Sequence, residues 1–216
     1  MESEPLTLKD KFKFLCHKGL ECFNECCKNQ NLFLTPYDVI RMKNRLKITS
    51  TEFLKKYTTW HIGYYTGLPV VMLKMEPKCP FVSEEGCTIY EDRPSSCRLY
   101  PLARVKIGNE EYYYIVKEDF CKGFEEDKEW TVEEWIKDQG AEVYNKMNDV
   151  FMELISAKNR CKRELSEDEI KMVYTACFDI DRFREYLSEN YDVLSYSDEE
   201  LMVFAIKWVI KNILQK

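Results

Sequence analysis

Glycine is scarce in this chain, 7 of 216 residues, and histidine scarcer still, with 2. Neither G-x-G-x-x-G nor G-x-x-x-x-G-K-S/T occurs, so the usual glycine-rich cradles for nucleotide phosphates are excluded. No stretch of about 18 apolar residues is present, which excludes an ordinary transmembrane helix. The most apolar segment, Leu201 to Leu214, is interrupted by Lys207 and Lys211 and reads as an amphipathic helix laid on a core. A basic excess is also missing: 32 Lys and Arg stand against 38 Asp and Glu, a net charge of −6. Nucleic-acid binding draws on a basic surface that releases counterions, so no nucleic-acid partner is expected. The first residues carry Glu2 and Glu4 and lack the apolar core of about 7–15 residues that marks a secretory signal. The chain is therefore expected to be cytoplasmic, with no membrane partner. Aromatics make up 14% and hydrophobic residues 45%, enough apolar surface to fold rather than stay disordered.

Against these absences stand 10 cysteines. A reducing compartment makes structural disulfides improbable, and clustered cysteines there point to metal ligation or redox chemistry. Eight lie between residues 16 and 121, in two runs: Cys16, Cys22, Cys26 and Cys27, spaced C-x5-C-x3-C-C, then Cys79, Cys87, Cys97 and Cys121, spaced C-x7-C-x9-C with the last 24 residues on. Thiolates bind soft or borderline metals, and four of them close a tetrahedral zinc site or hold one iron–sulfur cluster. All eight are therefore candidate ligands, for one site or two. The adjacent pair Cys26–Cys27 directs its side chains apart on regular backbone. It can supply one ligand to each of two sites, or one ligand and a spare thiol; both serve one metal only on irregular backbone. Cys161 and Cys177 fall in helical patterns and read as small buried hydrophobes. His17, beside Cys16, is an alternative nitrogen donor, and His61 reads as an ordinary helix residue.

Along the chain, Thr35 can cap a helix with Pro36 at its first position and Asp38 at its positive end. Thr49-Ser50-Thr51-Glu52 is a capping box that opens a helix running to Trp60. Residues 68–76 read as a strand. The stretch KCPFVSEEGCTIYEDRPSSCRLYP is a loop rich in turn residues. Leu102–Ile107 and Tyr112–Val116 flank Gly108-Asn109, a hairpin signal. From Thr131 the pattern turns helical, with capping boxes at Thr131–Glu134, Ser166–Glu169 and Ser197–Glu200. These predict helices near 131–159, 167–188 and 198–214. Asp179 and Asp181 beside Arg182 read as a solvated or salt-bridged helix face. The expected class is α+β, mostly helical. A loop-rich cysteine-cluster domain with short helices and a small antiparallel sheet spans 1–127, and a helical bundle spans 128–216.

The cysteines and their spacers together resemble the CxxCxxCC, or YkgJ-like, cysteine-cluster family, a zinc- or iron-chelating domain. The matching elements are the first run ending in Cys26-Cys27, the segments LTPYDVIRM and TSTEFLKKY, Cys79-Pro80-Phe81, and the string from Gly86 to Pro101 that reads GCxIYxxRPxxCRxYP, followed by Cys121. The family opening is C-x2-C-x2-C-C, so the loop after Cys16 is longer here. The resemblance implies a zinc ion or an iron–sulfur cluster such as 4Fe–4S as cofactor. Some relatives are flagellin lysine N-methylases that use S-adenosylmethionine.

Three functions are compatible with these residues. The first is a metal-binding protein that holds an iron–sulfur cluster or zinc. The second is a zinc-stabilised module that binds a protein partner. The third is a redox enzyme or an S-adenosylmethionine-dependent protein lysine methyltransferase relative. Arg93 and Arg98 are candidate cofactor-binding groups, able to donate to a cluster sulfur or an anion; pairing with Glu91 or Asp92 is the alternative.

Overall fold

The computed structural model describes residues 4–28, 30–108 and 110–215; Glu2 and Asn109 lie outside the described residues. Along the chain run β1 (Lys11–Lys13), β2 (Phe33–Leu34), α1 (Pro36–Leu46), α2 (Ser50–Tyr57), β3 (Thr58–Ile62), β4 (Pro69–Leu73), β5 (Val82–Ser83), β6 (Gly86–Cys87) and α3 (Ser95–Leu99). Then follow β7 (Leu102–Ile107), β8 (Glu110–Ile115), β9 (Glu129–Thr131), α4 (Val132–Asp138), α5 (Glu142–Arg160), α6 (Glu167–Cys177), α7 (Ile180–Ser188) and α8 (Asp198–Val209). The fold is α+β and mostly helical, with small antiparallel sheets. No helix among the described residues is long and apolar enough to cross a membrane.

The capping boxes form as the local chemistry dictates. In each of Thr35–Asp38, Thr49–Glu52, Thr131–Glu134, Ser166–Glu169 and Ser197–Glu200, the hydroxyl accepts from a first-turn N–H while the carboxylate accepts from the cap N–H. Two otherwise orphaned donors are satisfied at each start. The helix ends differ from expectation. α2 stops at Tyr57, and Thr58 to Ile62 pair antiparallel with β4, Trp60 opposite Val71; the β-branched and aromatic run Thr-Thr-Trp favours a pleated surface over another helical turn. His61 thus sits on a strand. The helix expected over 131–159 breaks at Gly140, which takes a φ of 59°, a left-handed setting that glycine adopts without a Cβ clash. That expected over 167–188 breaks between Phe178 and Asp179, and α7 starts at Ile180.

Contacts group the chain into two compact units, residues 1–30 with 75–143, and 31–74 with 144–216. The cut at 127/128 divides the chain by composition; this grouping divides it by contact and interleaves the segments.

The first unit holds the hairpin β7–β8, the pair β1–β9, the short hairpin β5–β6, and α3 and α4. Its core gathers Phe12, Phe14, Leu99, Leu102, Tyr113, Val132, Trp135 and Ile136. Tyr113, the middle of the tyrosine run, is fully buried. Each such side chain contributes about 1.5–3 kcal/mol on removal from water. The second unit sets the sheet β2-β4-β3 with α1, α2 and the later helices. α1 packs on α8 and α2 on α7. The buried Lys43 ammonium lies 3.1 Å from Asp181 and 2.9 Å from Asp198. Asp181 also accepts from the Ser50 N–H at 2.7 Å, and Asp179 from the Ser50 hydroxyl at 2.7 Å. The Asp179–Asp181 face is therefore salt-bridged and caps α2 from a distant helix.

Candidate metal centre

Cys16, Cys22, Cys26, Cys27, Cys79, Cys87, Cys97 and Cys121 all belong to the first unit, whereas Cys161 and Cys177 belong to the second. Cys26 and Cys27 sit in a tight 3-10 turn, Glu25–Cys27, entered through Asn24 at a φ of 70°. Asparagine tolerates this left-handed setting better than most residues. The Asn24 amide donates to the Ser83 carbonyl at 3.0 Å, and the Cys79 N–H donates to the Cys27 carbonyl at 2.8 Å. The turn is thereby fastened to the hairpin β5–β6, in which Cys87 stands opposite Val82. Gly86 has a φ of 110°, and a Cβ there would lie 3.2 Å from the Phe23 ring.

A second set of bonds fastens Cys16, Cys22 and Cys121. The Leu15 N–H donates to the Gly123 carbonyl at 3.0 Å. The Lys122 N–H donates to the Cys22 sulfur at 3.2 Å. Gly123 allows this approach, since a Cβ would stand 2.6 Å from the Phe14 ring and 3.0 Å from the Leu15 carbonyl oxygen. Phe14 is itself held edge-on by Tyr100, Phe124 and Trp135. The Tyr100 hydroxyl oxygen is buried without a geometrically formed hydrogen bond among the described residues. It faces the Cys121 sulfur, and burial together with that sulfur pushes its phenol far up.

The thiols share one electrostatic neighbourhood. Cys16 keeps an exposed face, yet the protein around its sulfur pushes the thiol up to about 11, and Cys26, Cys121 and Cys22 add to the shift. Cys26 moves down to about 7, because the Cys27 S–H donates to it and outweighs burial. Cys27 rises correspondingly through that bond and burial, with Cys26, Cys79 and Cys97 adding. Burial raises Cys79 against the opposing N–H groups of Phe81 and Val82, and raises Cys87 against the Ile89 N–H and the Arg93 charge. Among the described residues, no three His, Cys, Asp or Glu side chains already stand as a formed ligand set.

A family model described as "CxxCxxCC: Putative zinc- or iron-chelating domain" matches residues 15–131, a span that includes all eight clustered thiols. The chain belongs to this family. The remainder is a C-terminal extension. No curated protein and no solved structure matches the chain. Membership supports metal binding in general.

The residues present fit the group that the CxxCxxCC family binds. A thiolate only accepts hydrogen bonds, and the Lys122 N–H already donates to the Cys22 sulfur at 3.2 Å, as a ligated thiolate favours. Cys16, Cys26 and Cys97 are exposed, which leaves an entry path. His17 is engaged elsewhere: its Nδ1 accepts from the Gly19 N–H at 3.1 Å, and its Nε2 lies 3.7 Å from Glu126. His61 lies in the other unit. Cys177 is buried, which pushes its thiol up to about 12.

Arg93 and Arg98 are buried and tie two segments together. Arg93 donates to the Tyr90 carbonyl and the Gln139 side chain, both at 2.6 Å, and lies over the Tyr90 ring. Arg98 donates to the Glu91 carbonyl at 2.6 Å and to the Gln139 carbonyl. Gln139 went unnoticed in the sequence; the only signal is Gly140 beside it, whose break ends α4 at the Arg98 guanidinium. The Arg93 charge still reaches Cys87 and Cys97.

Proposed function

We propose that this protein is a cytoplasmic metal-holding protein whose clustered cysteines grip an iron–sulfur cluster. The observation that carries the reading is the Lys122 N–H donating to the Cys22 sulfur at 3.2 Å across 100 residues of chain. Hydrogen bonds to sulfur tune the potential of such clusters, and this one fastens the two cysteine-bearing loops. The widely spaced, loop-borne second run agrees, since zinc knuckles favour short C-x2–4-C pairs. Arg93 places a positive charge near Cys87 and Cys97 and would favour their thiolates.

A zinc-stabilised module is the second reading. It is favoured by the short elements around the thiols, β5 and β6 of two residues each. Binding of a structural metal would then contribute on the order of 10 kcal/mol to folding. Anaerobic purification followed by iron, acid-labile sulfide and zinc analysis separates the two. Iron with matching sulfide and broad visible absorption is expected. A colourless protein with stoichiometric zinc would replace the cluster by the zinc reading. Cys97→Ser should lower metal content and Cys161→Ser should not; equal loss would make a helical thiol a ligand.

A further inference from the structure

We propose that the open edge of β3 is a self-association surface, on which a second copy of this chain pairs its own β3 antiparallel about a twofold axis at Trp60. In the sheet β2-β4-β3, β3 is an outer strand with β4 on one side only among the described residues. The Lys74 N–H donates to the Tyr57 carbonyl and the Gly63 N–H to the Leu68 carbonyl, both at 2.8 Å. Main-chain groups alternate sides along an antiparallel strand, so Thr59 and His61 also bond toward β4. The N–H and C=O groups of Trp60 and Ile62 therefore point to the open side, as does the Thr58 carbonyl. The Thr58 N–H is already bonded to the Leu54 carbonyl. Thr59 to Ile62 are exposed. Open strand edges are ordinarily blunted by charge, proline or extreme shortness. β7 and β8 carry Arg104, Lys106, Glu110 and Glu111, and β2 is two residues long beside Pro36. β3 reads Thr-Thr-Trp-His-Ile and has none of these devices.

The occupant is a second copy because the strand complements itself when reversed. Lys55 and Lys56, exposed at the end of α2, precede it, and Tyr64 and Tyr65, each 93% exposed, follow it. With Trp60 opposite the partner's Trp60, the start of one strand lies beside the end of the other. The lysine pair of each copy then meets the tyrosine pair of its partner, cations against electron-rich ring faces. The open main-chain groups match in the same register: the Trp60 N–H donates to the partner's Trp60 carbonyl, and the Ile62 N–H to the partner's Thr58 carbonyl. The apolar face matches too. Trp60 stacks on Tyr174 at 4.9 Å and shares a face of the sheet with the buried Val71 and Leu73, so pairing carries that face across the axis. Trp60, Ile62, Tyr64 and Tyr65 offer roughly 500 Å² of side-chain surface per copy, close to the about 600 Å² per partner at the low end of specific interfaces. An acidic peptide would satisfy Lys55 and Lys56 but leave Tyr64 and Tyr65 uncovered. The twofold pairing uses up the open edge of β3, and β2 is too short to continue the sheet, so the assembly closes at two.

The test is sedimentation equilibrium of the full-length chain, purified anaerobically and kept reduced so that no thiol cross-link contributes. A monomer–dimer equilibrium with a Kd of about 10 μM is expected for so small an interface. Amide exchange at Trp60 and Ile62 should slow as the concentration rises through that value. Tyr64→Ser combined with Tyr65→Ser removes two exposed rings that pack on each other. It should weaken the dimer by about tenfold and leave the urea midpoint of the dilute protein unchanged. Ile62→Lys puts a charge on the edge and should abolish pairing. A chain still monomeric at about 1 mM would overturn the proposal, as would a dimer that both variants leave intact. A monomer whose Trp60 and Ile62 amides slow only on addition of oligoglutamate would give the edge to an acidic peptide and overturn self-pairing. The wild-type measurement needs no variant, so misfolding of a substituted chain does not blur the outcome.

Discussion

Replacing Gly123 with alanine would put a methyl group 2.6 Å from Cε2 of Phe14, 3.1 Å from its Cζ, and 3.0 Å from the Leu15 carbonyl oxygen. Neither neighbour can give way cheaply. The Phe14 ring is enclosed by Tyr100, Phe124 and Trp135 at centroid distances of 5.7, 5.2 and 5.6 Å, and the Leu15 oxygen is main chain. Overpacking of this kind costs about 1–3 kcal/mol, and the enclosure places Gly123→Ala in the upper half, about 2–3 kcal/mol. At about 1.4 kcal/mol per decade, the unfolding constant of the first unit should rise by roughly 30- to 150-fold. Urea unfolding followed by amide hydrogen exchange in the first unit measures it. Phe14→Leu opens space at the same point, so Gly123→Ala with Phe14→Leu should be less destabilised than the sum of the two singles, since touching residues do not add. Gly108→Ala is the control: nothing lies within 4 Å of its Cβ position, and only its φ of 61° opposes the change, a strain of about 1–2 kcal/mol. An unchanged urea midpoint for Gly123→Ala, or strict additivity with Phe14→Leu, would refute the close-approach argument.

Lys43→Ala should destabilise the second unit by about 3–5 kcal/mol, because Asp181 and Asp198 lose the buried cation between them; denaturant titration checks it. Glu169 is held down to about 2 from 4.5, first by the Arg163 guanidinium and then by the Ser166 N–H. A lowered folded value means that its stabilisation is complete above pH 4.5 and lost as pH falls toward 2. Glu169→Gln should therefore lower the thermal midpoint at neutral pH and flatten its decline across that window. Tyr100→Phe should keep the fold but remove the hydroxyl beside Cys121. That hydroxyl is buried without a hydrogen bond among the described residues, so the denaturant midpoint should hold or rise slightly; a loss of more than about 1 kcal/mol would refute this.

Much of the local architecture is legible because it is written over four residues. Thr49 and Glu52 satisfy each other's N–H groups whatever surrounds them, and the same holds for the boxes at Thr131, Ser166 and Ser197. Helix ends are less legible, because a competing strand partner settles them. The local preference of Thr58 to Trp60 for a pleated surface is realised where β4 is there to pair with. The close approach at Gly123 and the role of Gln139 are invisible locally, since their partners lie more than 40 residues away, at Leu15, Arg93 and Arg98.

By itself the sequence determined the chemistry: eight thiols and few histidines admit a sulfur-held centre, and capping boxes with helical spacing admit a mostly helical α+β chain. Tertiary structure alone decided which cysteine-bearing segments are bonded to one another. Cys121 is fastened beside Cys16 and Cys22, and Cys27 beside Cys79, through hydrogen bonds that close loops of about 50 to 100 residues. The energy of such a bond depends on a partner that no local spacing names. Residue types therefore set which donors the first unit offers, and long-range backbone pairing set which of its loops lie together.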